Sequence, residues 1–288
     1  MGFNSPLVEV FSVVRLFRHL LRALPAVVVS AAVLATPLTS AAPGVTPDRP
    51  APHSRPVPIL MYHELGDGPN QLYVRVGEFE RQLRFLAREG YRTVSLSEAG
   101  SLITGGTGAG GDPGDRPVVL TFDDGYKSHY TVAYPLLKEM GMTATFFVIS
   151  GRIGQPGYIS WDELKEMAGA GMEVGCHSAN HPDLARTASN TVLEDEVSAS
   201  KSALEERLQV KVSYFCYPAG KFNDALVARL KRAGYAGAVT TAPGWALAGS
   251  DPFKLRRVRI SRSDNIRAFR TRLAQPWVYG RVDGGKTR

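Results

Sequence analysis

Two adjacent carboxylates, Asp123 and Asp124, close the apolar run Leu120-Thr121-Phe122 and are followed at once by Gly125. Neighbouring strand residues point to opposite faces, so both aspartates can address one site only where the strand ends and the backbone turns. Glycine permits that turn. The commoner fate of such a tripeptide is a surface turn between two elements. A second cluster favours chemistry: Glu173-Val174-Gly175-Cys176 runs into His177-Ser178-Ala179-Asn180-His181-Pro182, placing two histidines after a short apolar strand. Two imidazoles four apart can converge on one ion if the segment between them coils. An added Asp oxygen then makes a three-ligand, open site of the zinc type. Lone histidines are more often satisfied core or surface residues, but a His pair and an Asp pair at two strand ends support each other. Spacing alone does not say which aspartate binds and which acts as a base.

Short apolar runs alternate with helical patterns along the rest of the chain. Strands are predicted at Val57–Tyr62, Thr93–Leu96, Val118–Phe122, Ala144–Ile149, Glu173–Cys176, Tyr214–Tyr217, Gly237–Thr240 and Val258–Ile260. Between them, Leu193, Val197, Leu204 and Leu208 fit one helical face, and Leu226, Leu230 and Ala233 another. Repeated strand–helix units imply a parallel sheet. Each chemical motif falls at the C-terminal end of a strand, where α/β barrels place their active sites. The glycine-rich stretch Gly105–Gly114 lacks the lysine and Ser/Thr of a phosphate loop and reads as a flexible surface loop.

A chain of 288 residues without repeats can bury one large core, so a single catalytic domain is expected over residues 57–288. Residues 1–42 read as an export signal or membrane anchor: Arg15, Arg18 and Arg22 precede the apolar stretch Ala23–Leu38, and Ser40-Ala41-Ala42 offers a cleavage site. Residues 43–56 are proline-rich and read as an extended linker. The domain is therefore expected outside the cytoplasm, secreted or anchored. A leader with three Arg and one Glu takes two from the formal net charge of +7, leaving +5. That balance suits anionic wall polymers or a membrane surface, whereas no nucleic-acid motif is visible. Cys176 and Cys216 are the only cysteines, and each lies in an apolar strand beside a motif, where a small buried thiol fits better than a bridge.

With these motifs the chain resembles the metal-dependent polysaccharide deacetylases, whose catalytic unit is the NodB homology domain of carbohydrate esterase family four. Thr121-Phe122-Asp123-Asp124-Gly125 looks like the family's first motif and His177-Ser178-Ala179-Asn180-His181 its second, His-Ser/Thr-x-x-His, with the resemblance covering roughly residues 56–275. It implies an α/β fold, a distorted, incomplete (β/α) barrel. It also implies Asp124, His177 and His181 as ligands of one divalent ion, zinc foremost with cobalt or nickel possible alternatives, and Asp123 as the base that deprotonates the attacking water. The substrate implied is an N-acetylglucosamine-containing polysaccharide: poly-N-acetylglucosamine, a chitin-like oligosaccharide or a peptidoglycan glycan. A monomer is expected.

Two departures from the family pattern matter. The third motif, Tyr214-Phe215-Cys216-Tyr217-Pro218-Ala219-Gly220, keeps its proline and glycine but lacks the arginine that usually holds the base. Arg257 and Arg259 alternate on one strand face, and Arg257 is the chosen substitute, able to fix Asp123 by a bidentate contact. The Ala219 N–H remains available as an oxyanion donor, with Tyr217 and Pro218 beside it. The C-terminal histidine that usually protonates the leaving amine is also missing. Ile59-Leu60-Met61-Tyr62-His63 looks like the N-terminal motif of the poly-N-acetylglucosamine deacetylase branch, which makes His63 the candidate general acid. Tyr62 is a candidate for the acetyl pocket and Trp245 for stacking on a sugar ring. His129 reads as a helix-start residue. Rival readings are an O-acetyl esterase, a non-catalytic carbohydrate-binding wall protein and a glycoside hydrolase. The last needs carboxylates about 5 Å or more apart across a sugar, which adjacent aspartates meeting at a metal do not supply.

Overall fold

The computed structural model describes residues 56–104 and 114–274. The expected leader, nearly all of the linker, residues 105–113 of the glycine-rich stretch and the segment from 275 onward lie outside the described residues. The chain begins with β1 (Ile59–Tyr62), β2 (Glu64–Leu65), β3 (Tyr73–Val74), α1 (Val76–Arg88), β4 (Tyr91–Thr93) and α2 (Leu96–Thr104). It continues through β5 (Arg116–Phe122), α3 (Tyr134–Glu139), β6 (Thr145–Val148), α4 (Trp161–Gly169) and β7 (Glu173–Cys176). Then follow α5 (Asn190–Glu194), α6 (Ser200–Leu208), β8 (Tyr214–Cys216), α7 (Asp224–Arg232), β9 (Gly237–Pro243), β10 (Leu255–Arg259) and α8 (Ile266–Ala274).

Seven parallel strands close a barrel in the order β1-β10-β9-β8-β7-β6-β5, and β5 returns to β1 through the pairs Ile59–Val119 to Tyr62–Phe122. β4 adds an eighth strand outside the ring, pairing with the first half of β5. This is the expected (β/α) barrel, one strand short of eight. Two faces follow from the two-residue strand period. Ile59, Val119, Phe147, Cys216, Val239 and Leu255 belong to one buried cluster, which α2 joins through Leu96, Ala99, Leu102 and Ile103. Leu60, Tyr62, Val118, Leu120, Phe122 and Phe146 belong to the other, packed under the surrounding helices. Gly175 is required in the barrel: a Cβ there would sit 2.4 Å from the Phe147 ring.

The expected elements differ from the observed ones in three places. The strand expected at Thr93–Leu96 lies at Tyr91–Thr93, because Leu96 opens α2 and its amide is taken by the Glu173 carboxylate (2.7 Å), which caps that helix from β7. The pair β2–β3 is too short to leave a periodic signal. The Leu193–Leu208 stripe is interrupted by a π-helical turn, Asp195–Ala199, between α5 and α6. A second π turn, His129–Ala133, precedes α3. No helix among the described residues is long and apolar enough to cross a membrane.

Candidate active site and metal centre

The inward-facing register that runs through Val119 and Thr121 reaches Asp123 one step past the end of β5. The same count on β1 reaches His63, on β7 His177, and on β10 Arg257 within the strand and Arg259 at its end. Asp124 cannot follow that register and still face the cleft. Its backbone instead turns left-handed (φ 80°), with Gly125 at φ 78° after it. Ser178 (φ 63°), His181 (φ 62°) and Ala219 (φ 53°) do the same in the other two motif loops. Such conformations carry strain outside glycine and persist where surrounding contacts over-determine them. These loops line a cleft of about 450 Å³ with His63, Asp123, Asp124, His177, His181, Tyr217 and Ala219 on its walls, joined by Leu72, Thr241 and Arg259.

One side of the cleft is saturated. Arg257, fully buried, donates from both terminal nitrogens to the two oxygens of Asp123 at 2.7 Å each. It also donates to the Thr240 carbonyl (2.9 Å), Thr121 Oγ1 (3.0 Å) and Cys216 Sγ (3.3 Å). Burial alone pushes the Asp123 carboxyl up, but the adjacent guanidinium outweighs it and holds the group well below the usual carboxylate range. His63 Nε2 stands 3.9 Å from Asp123 Oδ2. Burial lowers the His63 pKa, and the two aspartates only partly restore it. The His63 carbonyl accepts a bond from His129 Nε2 (2.5 Å), whose ring is wholly buried among Phe122, Phe146 and Tyr126. Burial brings the His129 pKa down to about 4, so it is neutral, and its Nδ1 has no hydrogen-bond partner among the described residues.

The other side is open. His177 Nδ1 lies 2.7 Å from the Cys216 carbonyl, so that nitrogen carries a hydrogen and, in the neutral ring, Nε2 offers a lone pair. Nε2 faces Asp124 Oδ1 at 3.4 Å, and His181 Nε2 faces the same oxygen at 3.9 Å. The donor atoms of Asp124, His177 and His181 all lie within 4.8 Å of one another. Two imidazole nitrogens and one carboxylate oxygen suit a zinc-type ion with open positions. Asp123, His177 and Cys216 form a second close group. Both oxygens of that aspartate already accept from a buried cation, however, and the Cys216 thiol is fully buried with its pKa raised by burial, so this group does not fit a cation. Cys176 and Cys216 are both free thiols.

Three placements go against or beyond the sequence reading. Trp245 does not line the cleft; it packs against the helix-layer core, its Nε1 without a hydrogen-bond partner among the described residues. Tyr62 occupies the outward register and donates to Gln82 Oε1 (2.9 Å) under α1, away from the acetyl pocket considered for it. Tyr217 and Ala219 do line the cleft, Tyr217 fixed by donation to the Phe253 carbonyl (3.0 Å), while Pro218 is buried between them in the chain. Glu196 was missed. Its buried carboxylate accepts from the Ala179 and Asn180 amides (2.9 and 2.8 Å) and from Asn180 Nδ2 (2.8 Å), pinning the loop between the two histidines. It reaches that loop because the π turn carries it inward, a common use of such turns. The only trace in the sequence is a charged residue one turn after Leu193, on the apolar stripe.

Residues 110–238 match the family described as Polysaccharide deacetylase. YxkH of Bacillus subtilis (strain 168), named as a polysaccharide deacetylase, is 34% identical over 213 residues, covering 74% of either chain. The poly-β-1,6-N-acetyl-D-glucosamine N-deacetylase of Escherichia coli (strain K12) is 23% identical over 266 residues, which cover 77% of this chain and 39% of that protein. Among solved structures, the Streptococcus pyogenes deacetylase PplD, in complex with acetate, superposes with a TM-score of 0.70 at 31% identity, covering 77% of this chain and 98% of that one. On this sequence likeness and this barrel, the chain belongs to the polysaccharide deacetylase family.

Proposed function

We propose that the protein is an exported, metal-dependent hydrolase that removes N-acetyl groups from an N-acetylglucosamine-containing polysaccharide, releasing acetate and leaving free amines. The observation that carries this reading is the division of the two aspartates: Asp123 is locked to Arg257, while Asp124 faces the Nε2 atoms of two histidines. The relatives named for poly-β-1,6-N-acetyl-D-glucosamine deacetylation support the amide over the ester. Export is supported by the basic and then apolar residues 15–38.

Asp124, His177 and His181 would hold the ion, zinc foremost. A divalent cation there supplies a Lewis acid for the acetyl carbonyl and makes water acidic enough to attack at neutral pH. Every other task falls to the chain. Asp123 is ionised at any working pH; Oδ2 also accepts from the Cys216 thiol (3.5 Å), but Oδ1 keeps a second lone pair beyond the Arg257 bond, so the carboxylate can orient the attacking water and take its proton. The Ala219 N–H, on the opposite wall, is the candidate donor to the oxyanion. His63, beside Asp123 Oδ2, is the candidate general acid: it is placed to receive the proton that Asp123 takes from water and to pass it to the leaving nitrogen. Tyr217 walls the acetyl group.

The test is acetate release from N-acetylglucosamine oligosaccharides, peptidoglycan and acetylated xylan, with and without chelator, followed by product mass spectrometry. The expected result is chelator-sensitive release from the N-acetylated glycans, lost by about 100- to 10,000-fold in Asp123→Asn. Release from acetylated xylan alone would mark an esterase, and undiminished turnover in Asp123→Asn would remove the base from the scheme.

A further inference from the structure

The cleft has one cation that the proposed chemistry leaves unused. Arg259 ends β10 two residues beyond Arg257, on the same strand face, and pairs in register with Met61, the residue two before His63. Arg257 is fully buried and spent on Asp123, whereas Arg259 is exposed and lines the cleft. It forms no ion pair among the described residues, although other cations on neighbouring loops are answered: Lys221 by Asp183 (2.8 Å) and Lys127 by Glu163. On the loop after β10, Arg262 buries Nη1 without a hydrogen-bond partner among the described residues, and Ser263 reaches Gln71 (3.4 Å) beside the cleft residue Leu72. The rim at the end of β10 therefore carries surplus positive charge. The cleft's acids do not answer it: Asp123 is neutralised by Arg257, and Asp124, which faces His177 and His181, would be taken up by the ion they would hold.

We propose that Arg259 forms a subsite for an oxyanion, carboxylate or phosphate, borne by the sugar next to the one deacetylated, so that the substrate is an acidic N-acetylated glycan. This rests on the deacetylase reading above. A neutral sugar chain offers only hydroxyls, which need no full charge, and an unpaired guanidinium repels a chain already bearing the ammonium groups that the reaction creates. An oxyanion matches the guanidinium fork in charge and shape, with two parallel N–H donors. The site thereby prefers a glycan that is acidic and sparsely deacetylated over a polycationic one.

The experiment compares kcat/KM of the zinc-loaded full chain on three N-acetylated oligosaccharides of equal length: neutral, carboxylated through a lactyl ether, and phosphorylated. Arg259→Gln and Arg259→Lys are measured beside the parent. In the parent, at least one acidic substrate should exceed the neutral one, the gap narrowing with added salt. In Arg259→Gln that acidic-to-neutral ratio should fall about 10- to 100-fold, mainly through KM, with Arg259→Lys retaining part of it. The acidic arm that responds identifies the carboxylate or the phosphate as the source. An unchanged ratio in both arms for Arg259→Gln overturns the subsite while leaving the deacetylase reading intact. Absence of acetate from all three substrates with the parent overturns both.

Discussion

The two walls of the cleft are built from the same chemical types and end in opposite states. On the Asp123 wall the carboxylate already has its counter-charge: a buried arginine grips it and donates to a threonine hydroxyl, a carbonyl and a thiol besides. On the Asp124 wall, a carboxylate oxygen faces two imidazole nitrogens, with no arginine or lysine paired to it among the described residues. Lone pairs brought together in this way repel unless a proton or a cation lies among them. The difference lies in the backbone, since Asp123 keeps the strand's inward register and Asp124 leaves it through a left-handed turn.

Arg257→Met should break the contrast most severely, because it strands a buried charge; about 3–5 kcal/mol of unfolding free energy should be lost at pH 7 in urea titrations. The Asp123 carboxyl is depressed in the folded state, so the pair's contribution is present above the unfolded carboxylate pKa of about 4 and is lost as pH falls below it. The deficit should accordingly shrink in strong acid, and a loss under about 1 kcal/mol at neutral pH would refute the pairing. Next comes Asp124→Ala, expected to weaken zinc binding by more than about 100-fold, beyond the 10- to 100-fold typical of an outer partner. Asp123→Asn should change it far less, and equal effects from the two would erase the distinction between the walls. Glu196→Gln sharpens the open wall: with the loop between the histidines loosened, zinc affinity should drop about 10-fold while the melting curve stays cooperative. Parent-like affinity would reduce Glu196 to a loop brace.

The smallest effect concerns His129. Its pKa of about 4 lies below the unfolded value, so the unfolded chain binds more protons between these values, and stability is complete above about pH 6.5 and declines as pH falls toward 4. His129→Gln, which can still donate to the His63 carbonyl, should remove about 1 kcal/mol of the parent's loss between pH 7 and 5.5. An identical pH slope in both proteins would exclude the titration.

What the sequence revealed tracks how local each signal is. The strand ends, the Asp pair and the His pair are short motifs bound to a strand period, so the barrel and the four residues at its rim could be read directly. Arg257 was visible as an alternating arginine, because the strand period fixes which face it shares with Arg259. Glu196 was not, since it enters through a π turn, where one extra residue changes which way a side chain points, and His129, a helix-start residue as expected, gave no sign of its buried place under the His63 carbonyl. Trp245 was misread because a loop residue after a strand can as easily fold back on the core as face the cleft. Tyr62 was misread for a simpler reason: beside an inward His63 it must point outward.

The ring is closed by its first strand, which is held between β5 and the last strand, β10. A chain growing from its N-terminus can pair β5, β6 and β7 as they appear, and with them gather Asp124, His177 and His181. β1 gains its second neighbour only when Val258 reaches Leu60, almost at the end of the domain. The wall that carries Arg257 is therefore completed last, after a long loop closure that slows folding. Until then Asp123 is a carboxylate without its counter-charge. A chain cut short before β10 would still possess all three proposed metal ligands, and yet have neither a sealed barrel nor an anchored Asp123.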